Sequence, residues 1–306
     1  MSRIVTISHM KNFFKSNKRA VNVTQSLLLL ASVLMHARVG LASDFETSKE
    51  FRQYCGACHG QNGAGDGVAG RYLYPKPRDL VNGRLHLATS INLVASADDI
   101  KQVLLDGVPN SSMQSWKELS GGLIDQLVSE IQQMQITGAR HRVTLVLKED
   151  GLLVDSDGNL NTEGQKAVVN YTAQQTVPTQ RWVAPRRLAI STGILADGRK
   201  IYLKQNCHKC HGNEGEGSFG VDLVDDKGFP TFARDLIRDP YKAGSHFDDV
   251  SRVISLGMPG TVMPSSVSLS DVELAKLTHY VQSLAKSPPQ QLSNIQRYHR
   301  AIGFRR

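Results

Sequence analysis

Four cysteines, arranged as two copies of one short motif, constrain this 306-residue chain more than any other feature. Cys55, Cys58 and His59 form a C-x-x-C-H motif that returns as Cys207, Cys210 and His211. This pattern is the attachment signature of a c-type haem. Two thiols one helical turn apart can form thioethers with the two vinyl groups of one porphyrin, and the adjacent histidine then lies under the iron. The sequence therefore predicts two covalently bound haem c groups.

Three other origins of the motif compete with this interpretation. Two C-x-x-C pairs can build a four-cysteine zinc site, but such pairs usually bracket a short loop and these are 152 residues apart. A thioredoxin-like redox pair needs a βαβ setting, and no such pattern flanks either copy. The third is chance, which the repetition described next argues against. Haem attachment is the favoured interpretation.

The sequence around the motif is duplicated. Residues 98–134 align with 248–284 at a constant offset of 150, without a gap and with 11 identities. The identical pairs include Asp98/Asp248, Gly107/Gly257, Pro109/Pro259, Met113/Met263, Ser120/Ser270 and Leu127/Leu277. Both halves are therefore expected to fold alike and to bind haem alike. We name them the first repeat (44–140) and the second repeat (193–287).

Both repeats are predicted to be helical. Apolar periodicity and serine caps mark the helices, including a Ser270/Glu273 capping box, and a glycine-rich loop follows each haem motif. The predicted helices span 47–58, 98–105 and 120–134 in the first repeat and 198–210, 248–255 and 270–284 in the second.

A linker, residues 141–192, separates the repeats. Val143–Leu147 is rich in β-formers, Asp150-Gly151 can turn the chain and Leu152–Val154 can return it, so a short β-hairpin is expected. Residues 178–187 are predicted to be extended.

Two further polar segments invite functional interpretations. The acidic and amide residues between Asp155 and Glu163 are weakly similar to a calcium loop, but Leu160 replaces the required glycine, so a polar turn is favoured. The tail, 288–306, carries four arginines and is predicted to be a solvated basic end.

Residues 1–42 have the organisation of a secretory signal peptide. A basic start precedes the apolar run Leu27–Met35, and small residues precede a predicted cleavage after Ala42. The alternative is an N-terminal anchor in the inner membrane, but this apolar run is much shorter than the ~20 residues that a spanning helix needs. We expect a periplasmic mature chain without a transmembrane helix.

The net charge of +8 comes mostly from that leader. Six basic residues and no acidic residue lie in the first 43 positions, which leaves 30 basic against 28 acidic residues, or +2. A nearly balanced mature chain gives no reason to expect a nucleic-acid partner.

The sixth iron ligand separates electron transfer from catalysis, because an open position allows substrate to bind. In the repeat alignment Met263 matches Met113, whereas Met258 matches Val108. We therefore predict that Met113 completes the coordination begun by His59. Met263 is predicted to do the same for His211.

Two histidines outside the motifs are rival ligands. His86 and His246 do not align at any of the repeat offsets, so a surface or outer-shell position is favoured for both. Cysteine ligation is excluded because all four thiols are needed for haem attachment.

The residues that support the haem are less constrained. Arg78 and Arg234 occupy equivalent positions, and either haem propionate binding or a capping or surface role fits each of them. Carbonyl groups near Pro75, Pro77 or Pro230 can accept the proximal histidine N–H, and the sequence does not choose among them.

Taken together, the C-x-x-C-H-G motifs and the loop Gly257–Pro264 resemble the class I c-type cytochrome family in its tandem dihaem form. The loop is also similar to haem domains of cytochrome subunits of bacterial terminal oxidases. The resemblance covers 44–138 and 193–287, and implies an all-α chain of two tandem cytochrome c-like domains joined by a partly β or extended linker. The first repeat departs from the pattern at Asn110-Ser111-Ser112, where Gly-Thr-x is usual, and at Gln114, where proline is usual.

The predicted function is that of a periplasmic dihaem cytochrome. It would transfer single electrons between a donor and an acceptor protein, within or alongside a respiratory oxidoreductase complex. The alternative is a dihaem, peroxidase-like enzyme with one open haem iron, and the two predicted methionine ligands favour the carrier.

Overall fold

The computed structural model describes residues 45–151, 153–217, 223–286 and 288–304. The predicted signal peptide, residues 1–42, lies outside these ranges, as do Arg305 and Arg306 of the basic tail. Regular structure in the described ranges is α-helical apart from a single 3-10 turn, one two-stranded sheet and isolated bridges, which confirms the predicted all-α fold class. None of the described helices is both long and apolar enough to cross a membrane.

The first repeat begins with two short helices that carry its haem motif. Its elements are α1 (Lys49–Tyr54), α2 (Gly56–His59), a 3-10 turn (Gly70–Tyr72), α3 (Ala97–Asp106) and α4 (Gly121–Glu149). The single helix predicted over 47–58 is interrupted at Cys55, whose φ of −115° leaves the helical range.

Side chains of α4 fix the start of α1. Ser48 caps α1 by accepting a hydrogen bond from the Phe51 N–H at 3.0 Å. The buried Glu130 carboxylate on α4 accepts hydrogen bonds from Ser48 N at 2.7 Å and Ser48 Oγ at 2.6 Å. The core between these helices contains Phe51, Leu104 and other fully buried apolar side chains. This contact holds the haem motif against the longest helix of the repeat.

The second repeat has the same order of four helices, with two strands where the first repeat has its 3-10 turn. It contains α6 (Thr192–Lys204), α7 (His208–His211), β1 (Leu223–Val224), β2 (Pro230–Thr231), α8 (Phe247–Leu256) and α9 (Asp271–Leu284). Here the helix predicted over 198–210 is two helices, with a break between Lys204 and His208. The helices α6 and α9 cross at Gly198, where a Cβ would lie 2.6 Å from Cβ of Tyr280.

The two strands form an inserted hairpin that the sequence did not predict. β1 and β2 pair antiparallel, with Leu223 opposite Thr231. Asp225 closes the turn, since its Oδ1 accepts hydrogen bonds from the N–H groups of Lys227 and Phe229, each at 2.9 Å. The hairpin tip carries Asp226 and Lys227 toward the first repeat.

The β-hairpin predicted in the linker is wrong. Val143–Leu147 lies inside α4, which continues to Glu149 instead of ending near Met134. The physical reason is helical spacing: Val143 and Leu147 are four residues apart and both buried, so they share one face of the helix. Burial on that face overrides the β-propensity of the individual residues.

A further linker helix was missed. α5 (Thr162–Thr176) packs against α4, and Asn161 caps it by accepting a hydrogen bond from Gly164 N at 2.9 Å. Between the two helices, Asp155 Oδ1 accepts hydrogen bonds from Asp157 N at 3.0 Å and Asn159 N at 2.9 Å, which makes a polar turn. The boundaries of the two repeats stay predictions.

The expectation of a solvated basic tail is also wrong. Residues Asn294–Ala301 form a helix, α10, that begins with a Ser293/Gln296 capping box. Arg297 on this helix is only 6% exposed. Two backbone carbonyl groups, those of Tyr74 and Leu292, accept hydrogen bonds from its guanidinium. These bonds offset the free-energy cost of removing the charge from water.

Candidate functional site

A cavity of about 340 Å³ in the first repeat brings the predicted haem-binding residues together. Cys55, Cys58 and His59 line it from the haem motif, and Met113 lines it from the loop after α3. Most of the remaining wall is apolar, including the side chains of Phe51, Leu73, Leu80, Leu85, Leu104 and Ile131. An apolar cavity with two thiols, one imidazole and one thioether has the size class and chemistry of a cofactor site.

The proximal histidine is held by a backbone carbonyl. Nδ1 of His59 lies 2.8 Å from the carbonyl oxygen of Arg78. Because a carbonyl can only accept, Nδ1 carries the proton and Nε2 keeps its lone pair. Burial lowers the pKa of His59, against the raising effect of this hydrogen bond. The imidazole is therefore neutral and has one nitrogen available for a metal.

The second repeat reproduces this contact. Nδ1 of His211 lies 2.9 Å from the carbonyl oxygen of Arg234, and burial again lowers the pKa of the histidine. In both repeats the accepting carbonyl belongs to an Arg-Asp-Leu segment. The carbonyl of Arg78 directly follows Pro77, one of the three predicted neighbourhoods, whereas that of Arg234 lies four residues after Pro230. The equivalence of Arg78 and Arg234 in the two repeats is the sequence signal that relates the two contacts.

The glycine loops after the motifs also match. Gly65 N donates to His59 O at 2.7 Å, and Gly217 N donates to His211 O at the same distance. In each Arg-Asp-Leu segment the aspartate Oδ1 caps a turn, with Asp79 and Asp235 each accepting two backbone N–H bonds of 2.8 to 3.0 Å. The two repeats, which were identified from sequence, therefore also share the hydrogen bonds around their haem motifs.

The methionine loop of the first repeat is closed by a serine. Val108 N donates to Met113 O at 2.9 Å, and Ser111 Oγ donates to Val108 O at 2.7 Å. The same hydroxyl accepts a hydrogen bond from Met113 N at 3.1 Å. These contacts fix the backbone on both sides of Met113.

The second repeat closes its loop with Thr261 at the equivalent position. Met258 N lies 3.3 Å from Met263 O, Thr261 Oγ1 donates to Met258 O at 2.8 Å, and Met263 N donates to the hydroxyl at 3.1 Å. Asn110 takes a positive φ of 57° where Gly260 has 70°, and asparagine is among the few residues that tolerate this region. The first repeat therefore keeps the loop geometry although it has Asn110 and Ser111 where the second repeat has Gly260 and Thr261.

The cysteines are reduced and buried to different degrees. Burial raises the pKa of Cys55 to about 12, with smaller contributions from Glu130 and Cys58. Burial likewise raises the pKa of Cys207. These two thiols are neutral at physiological pH and are unsuited to act as thiolate ligands or nucleophiles in this state.

Arg78 lies at the contact between the repeats. Its guanidinium donates to both carboxylate oxygens of Asp226 at the hairpin tip, with 2.8 Å between Nη1 and Oδ1, and its Nε donates to Arg84 O at 2.7 Å. Arg78 also lines the cavity. Because the carboxylate of Asp226 already occupies the guanidinium fork, propionate binding by Arg78 stays a prediction.

Arg234 is half-buried in the second repeat. Its guanidinium donates to the carbonyl oxygen of Pro240, and desolvation lowers its pKa to about 10 despite the nearby Asp239 carboxylate. A half-buried guanidinium beside the His211 loop is placed where an anionic group of a cofactor would benefit from it. This role, too, stays a prediction.

His86, one of the two rival ligands, lines the cavity of the first repeat. Its Nδ1 lies 2.5 Å from the carbonyl oxygen of Pro259 in the second repeat. His246, the other rival ligand, is exposed at the N-cap position of α8, where its side chain makes no capping hydrogen bond.

Lys242 is a cavity residue that sequence reasoning missed. It belongs to the second repeat but lines the cavity of the first. Burial and the nearby Arg234, Arg78 and Arg297 lower the pKa of Lys242 to about 7. Nothing in the sequence marks this residue, because its position depends on how the repeats meet.

These residues fit a covalently attached haem. The thiols of Cys55 and Cys58 face the cavity that His59 and Met113 also line, as thioether formation and axial ligation require. In the second repeat, equivalent hydrogen bonds surround α7, which carries Cys210 and His211 after Cys207, and the loop that carries Met263.

Comparison with known proteins agrees with this chemistry. Residues 195–285 match the family model described as Cytochrome c. No curated protein sequence matches the chain. A solved structure, titled Kuenenia stuttgartiensis reducing HAO-like protein complex Kustc0457/Kustc0458, is similar with a TM-score of 0.60 and 28% sequence identity, covering 81% of this chain and 98% of that one. Together these matches support a c-type cytochrome: residues 195–285 are similar to cytochrome c, and such a domain implies covalently bound haem c.

Proposed function

We propose that the chain is a dihaem c-type cytochrome that transfers single electrons between redox proteins. One haem c would be attached to Cys55 and Cys58 with His59 and Met113 as iron ligands. The other would be attached to Cys207 and Cys210 with His211 and Met263. The observation that carries the proposal is the matching set of hydrogen bonds around the histidine and methionine of each repeat.

A bound haem c supplies a one-electron couple between ferric and ferrous iron. The chain's own residues decide how that couple is used. A neutral histidine and a loop-fixed methionine would both be available to ligate the iron, which favours electron transfer over substrate chemistry. The apolar wall would exclude water and raise the reduction potential, because an apolar environment disfavours the extra positive charge of ferric iron.

The similar solved structure supports a partner of a particular kind. Its title describes a reducing HAO-like protein complex, and the similarity extends over 98% of the matched chain. We infer that this chain works as the electron-transfer subunit beside a HAO-like redox partner. The predicted signal peptide supports assembly in the periplasm.

The test is a haem count combined with an absorption spectrum of the purified, exported protein. A pyridine haemochrome assay should give two haems per chain. The weak near-infrared band of methionine-ligated ferric haem should correspond to both haems. One haem per chain, or a high-spin signal from one iron, would contradict the proposal and support an enzyme with an open site.

A further inference from the structure

The C-terminal segment 288–304, which we call the strap, begins on the second repeat. Gln290 N donates to Arg238 O at 2.6 Å. Further along, the Arg300 guanidinium lies 2.6 Å from the carboxylate of Asp239, which is only 3% exposed. A buried, charge-assisted contact of this kind is a firm attachment. One side of the strap is therefore fixed to the second repeat.

The other side of the strap contacts the methionine loop of the first repeat. Leu292 N donates to Asn110 Oδ1 at 3.0 Å. Arg297 Nη2 donates to Ser112 Oγ at 3.1 Å. Ser112 lines the cavity and directly precedes Met113. The strap thus holds the loop at two positions within three residues of the predicted iron ligand.

The same strap holds Tyr74, which lies between the cavity-lining residues Leu73 and Pro75. Arg297 Nε donates to Tyr74 O at 2.5 Å, and Asn294 Oδ1 accepts a hydrogen bond from Tyr74 N at 2.5 Å. The ring of Tyr74 packs edge-on against Tyr298, with 5.8 Å between ring centroids. Tyr74 precedes the segment that leads to Arg78, the acceptor for His59. Arg297 consequently links the segment that leads to Arg78 with the loop before Met113.

Comparison of the repeats explains why the first loop needs support. The second loop has Gly260, which adopts its positive φ without steric cost, and Pro264 directly after Met263, which restricts the backbone. The first loop has Asn110 and Gln114 at these positions. It therefore adopts the positive φ at a steric cost and lacks the proline restraint, and the strap contacts lie on this loop.

We propose that the strap positions Met113 on the haem iron of the first repeat, with Arg297 as the positioning residue. This inference rests on the proposed His59 and Met113 ligation. Without the strap the loop Asn110–Met113 samples open conformations, and the thioether leaves the iron. The second repeat, with its glycine and proline, keeps its own methionine without such help.

The experiment uses the full-length dihaem protein and the substitution Arg297→Met. We expect two haems per chain, as in the wild type, but a near-infrared methionine band reduced by half. Carbon monoxide should bind to one ferrous haem per chain, whereas the wild type binds none. Adding Met263→Ala should abolish the remaining band, which assigns the lost signal to Met113.

A second variant tests the contact without altering the strap. Ser112→Ala removes the acceptor for Arg297, and the equivalent Val262 in the second repeat indicates that the loop tolerates an apolar residue there. We expect the same change in smaller amplitude. The matched control is Arg187→Met, which removes an exposed arginine paired with Asp248 and should leave the band intact.

The outcomes separate this inference from the function on which it rests. A wild-type protein without a methionine band for the first haem would refute the proposed ligation itself. A wild-type band that survives both Arg297→Met and Ser112→Ala, without carbon monoxide binding, would overturn the role of the strap. Equal loss at both haems would also overturn it, because the strap would then support the fold in general. If Arg297→Met does not fold, the methionine band and carbon monoxide binding of Ser112→Ala decide whether the strap positions Met113.

Discussion

The backbone of Gly107 lies directly against the carbonyl group of Met113. A Cβ added to Gly107 would be 2.6 Å from that oxygen, and a Cβ on Gly257 would be 2.7 Å from the carbonyl oxygen of Met263. Both glycines have positive φ, 72° and 76°. Each helix before a methionine loop therefore ends at a residue that must be glycine for two reasons, backbone conformation and space.

Gly107→Ala should release Met113 and leave Met263 in place. The left-handed backbone alone costs about 1–2 kcal/mol for alanine, and the contact with the carbonyl adds to this. Carbon monoxide titration of the ferrous protein should reveal one open haem per chain. Gly257→Ala should open the other haem.

Gly121→Ala is the control for this pair of substitutions. Gly121 begins α4, and a Cβ there would meet nothing within 4 Å. Replacing such a glycine stabilises a helix by roughly 0.4–1 kcal/mol. Ligation unchanged in all three variants would show that neither loop depends on its glycine.

Substitution of the methionines themselves tests the ligands. Met113→Ala and Met263→Ala should each lower the reduction potential of one haem, since methionine ligation raises it, and each should create one carbon monoxide site. Spectroelectrochemical titration of both variants should show the two potentials changing independently. Unchanged potentials would refute the ligand assignment.

Below about pH 7, where Lys242 is protonated, Lys242→Met should lower the potential of the first haem only. A cation in the cavity wall disfavours ferric iron, so its removal stabilises the oxidised state by on the order of 1 kcal/mol at an effective dielectric constant near 20. Redox titration of the variant measures the shift. The control is Lys101→Met, because Lys101 is exposed and pairs with Asp125 on the surface. Equal shifts in the two variants would exclude a specific effect of Lys242.

His86 should lower the free energy of unfolding in acid relative to its value at neutral pH. Burial, Lys242 and Arg78 lower its pKa from 6.5 to about 3 in the folded protein. The unfolded chain takes up a proton below about pH 6.5 while the folded chain does not, so stability is full above that pH and falls by about 1.4 kcal/mol per unit below it.

Denaturant unfolding at a series of pH values between 6.5 and 4.5 measures this effect. His86→Gln should flatten the dependence, whereas His246→Gln, at an exposed helix cap, should keep it. A wild-type slope that persists in His86→Gln would assign the acid sensitivity to other groups.

The sequence predicted those features that depend on residues close together in the chain. The C-x-x-C-H motifs, the serine caps and the gapless repeat of Met113 on Met263 all lie within segments whose geometry is local. The same reasoning could have found α10, since the Ser293/Gln296 capping box is a sequence signal. The strand predicted over residues 143–147 was wrong because β-propensity takes no account of the helical face that is buried against α5.

By itself, then, the sequence determined the duplicated C-x-x-C-H motifs and the helical class, and it predicted Met263 rather than Met258 as the ligand, because motif spacing and repeat register require no knowledge of distant contacts. Only the tertiary structure decided that Arg78 O and Arg234 O hold the histidines and that Lys242 enters the cavity of the other repeat. It likewise decided that Arg297 joins the tail to the loop before Met113. Such contacts join residues as many as 223 positions apart, and their partners are selected by packing and desolvation, which no local pattern encodes.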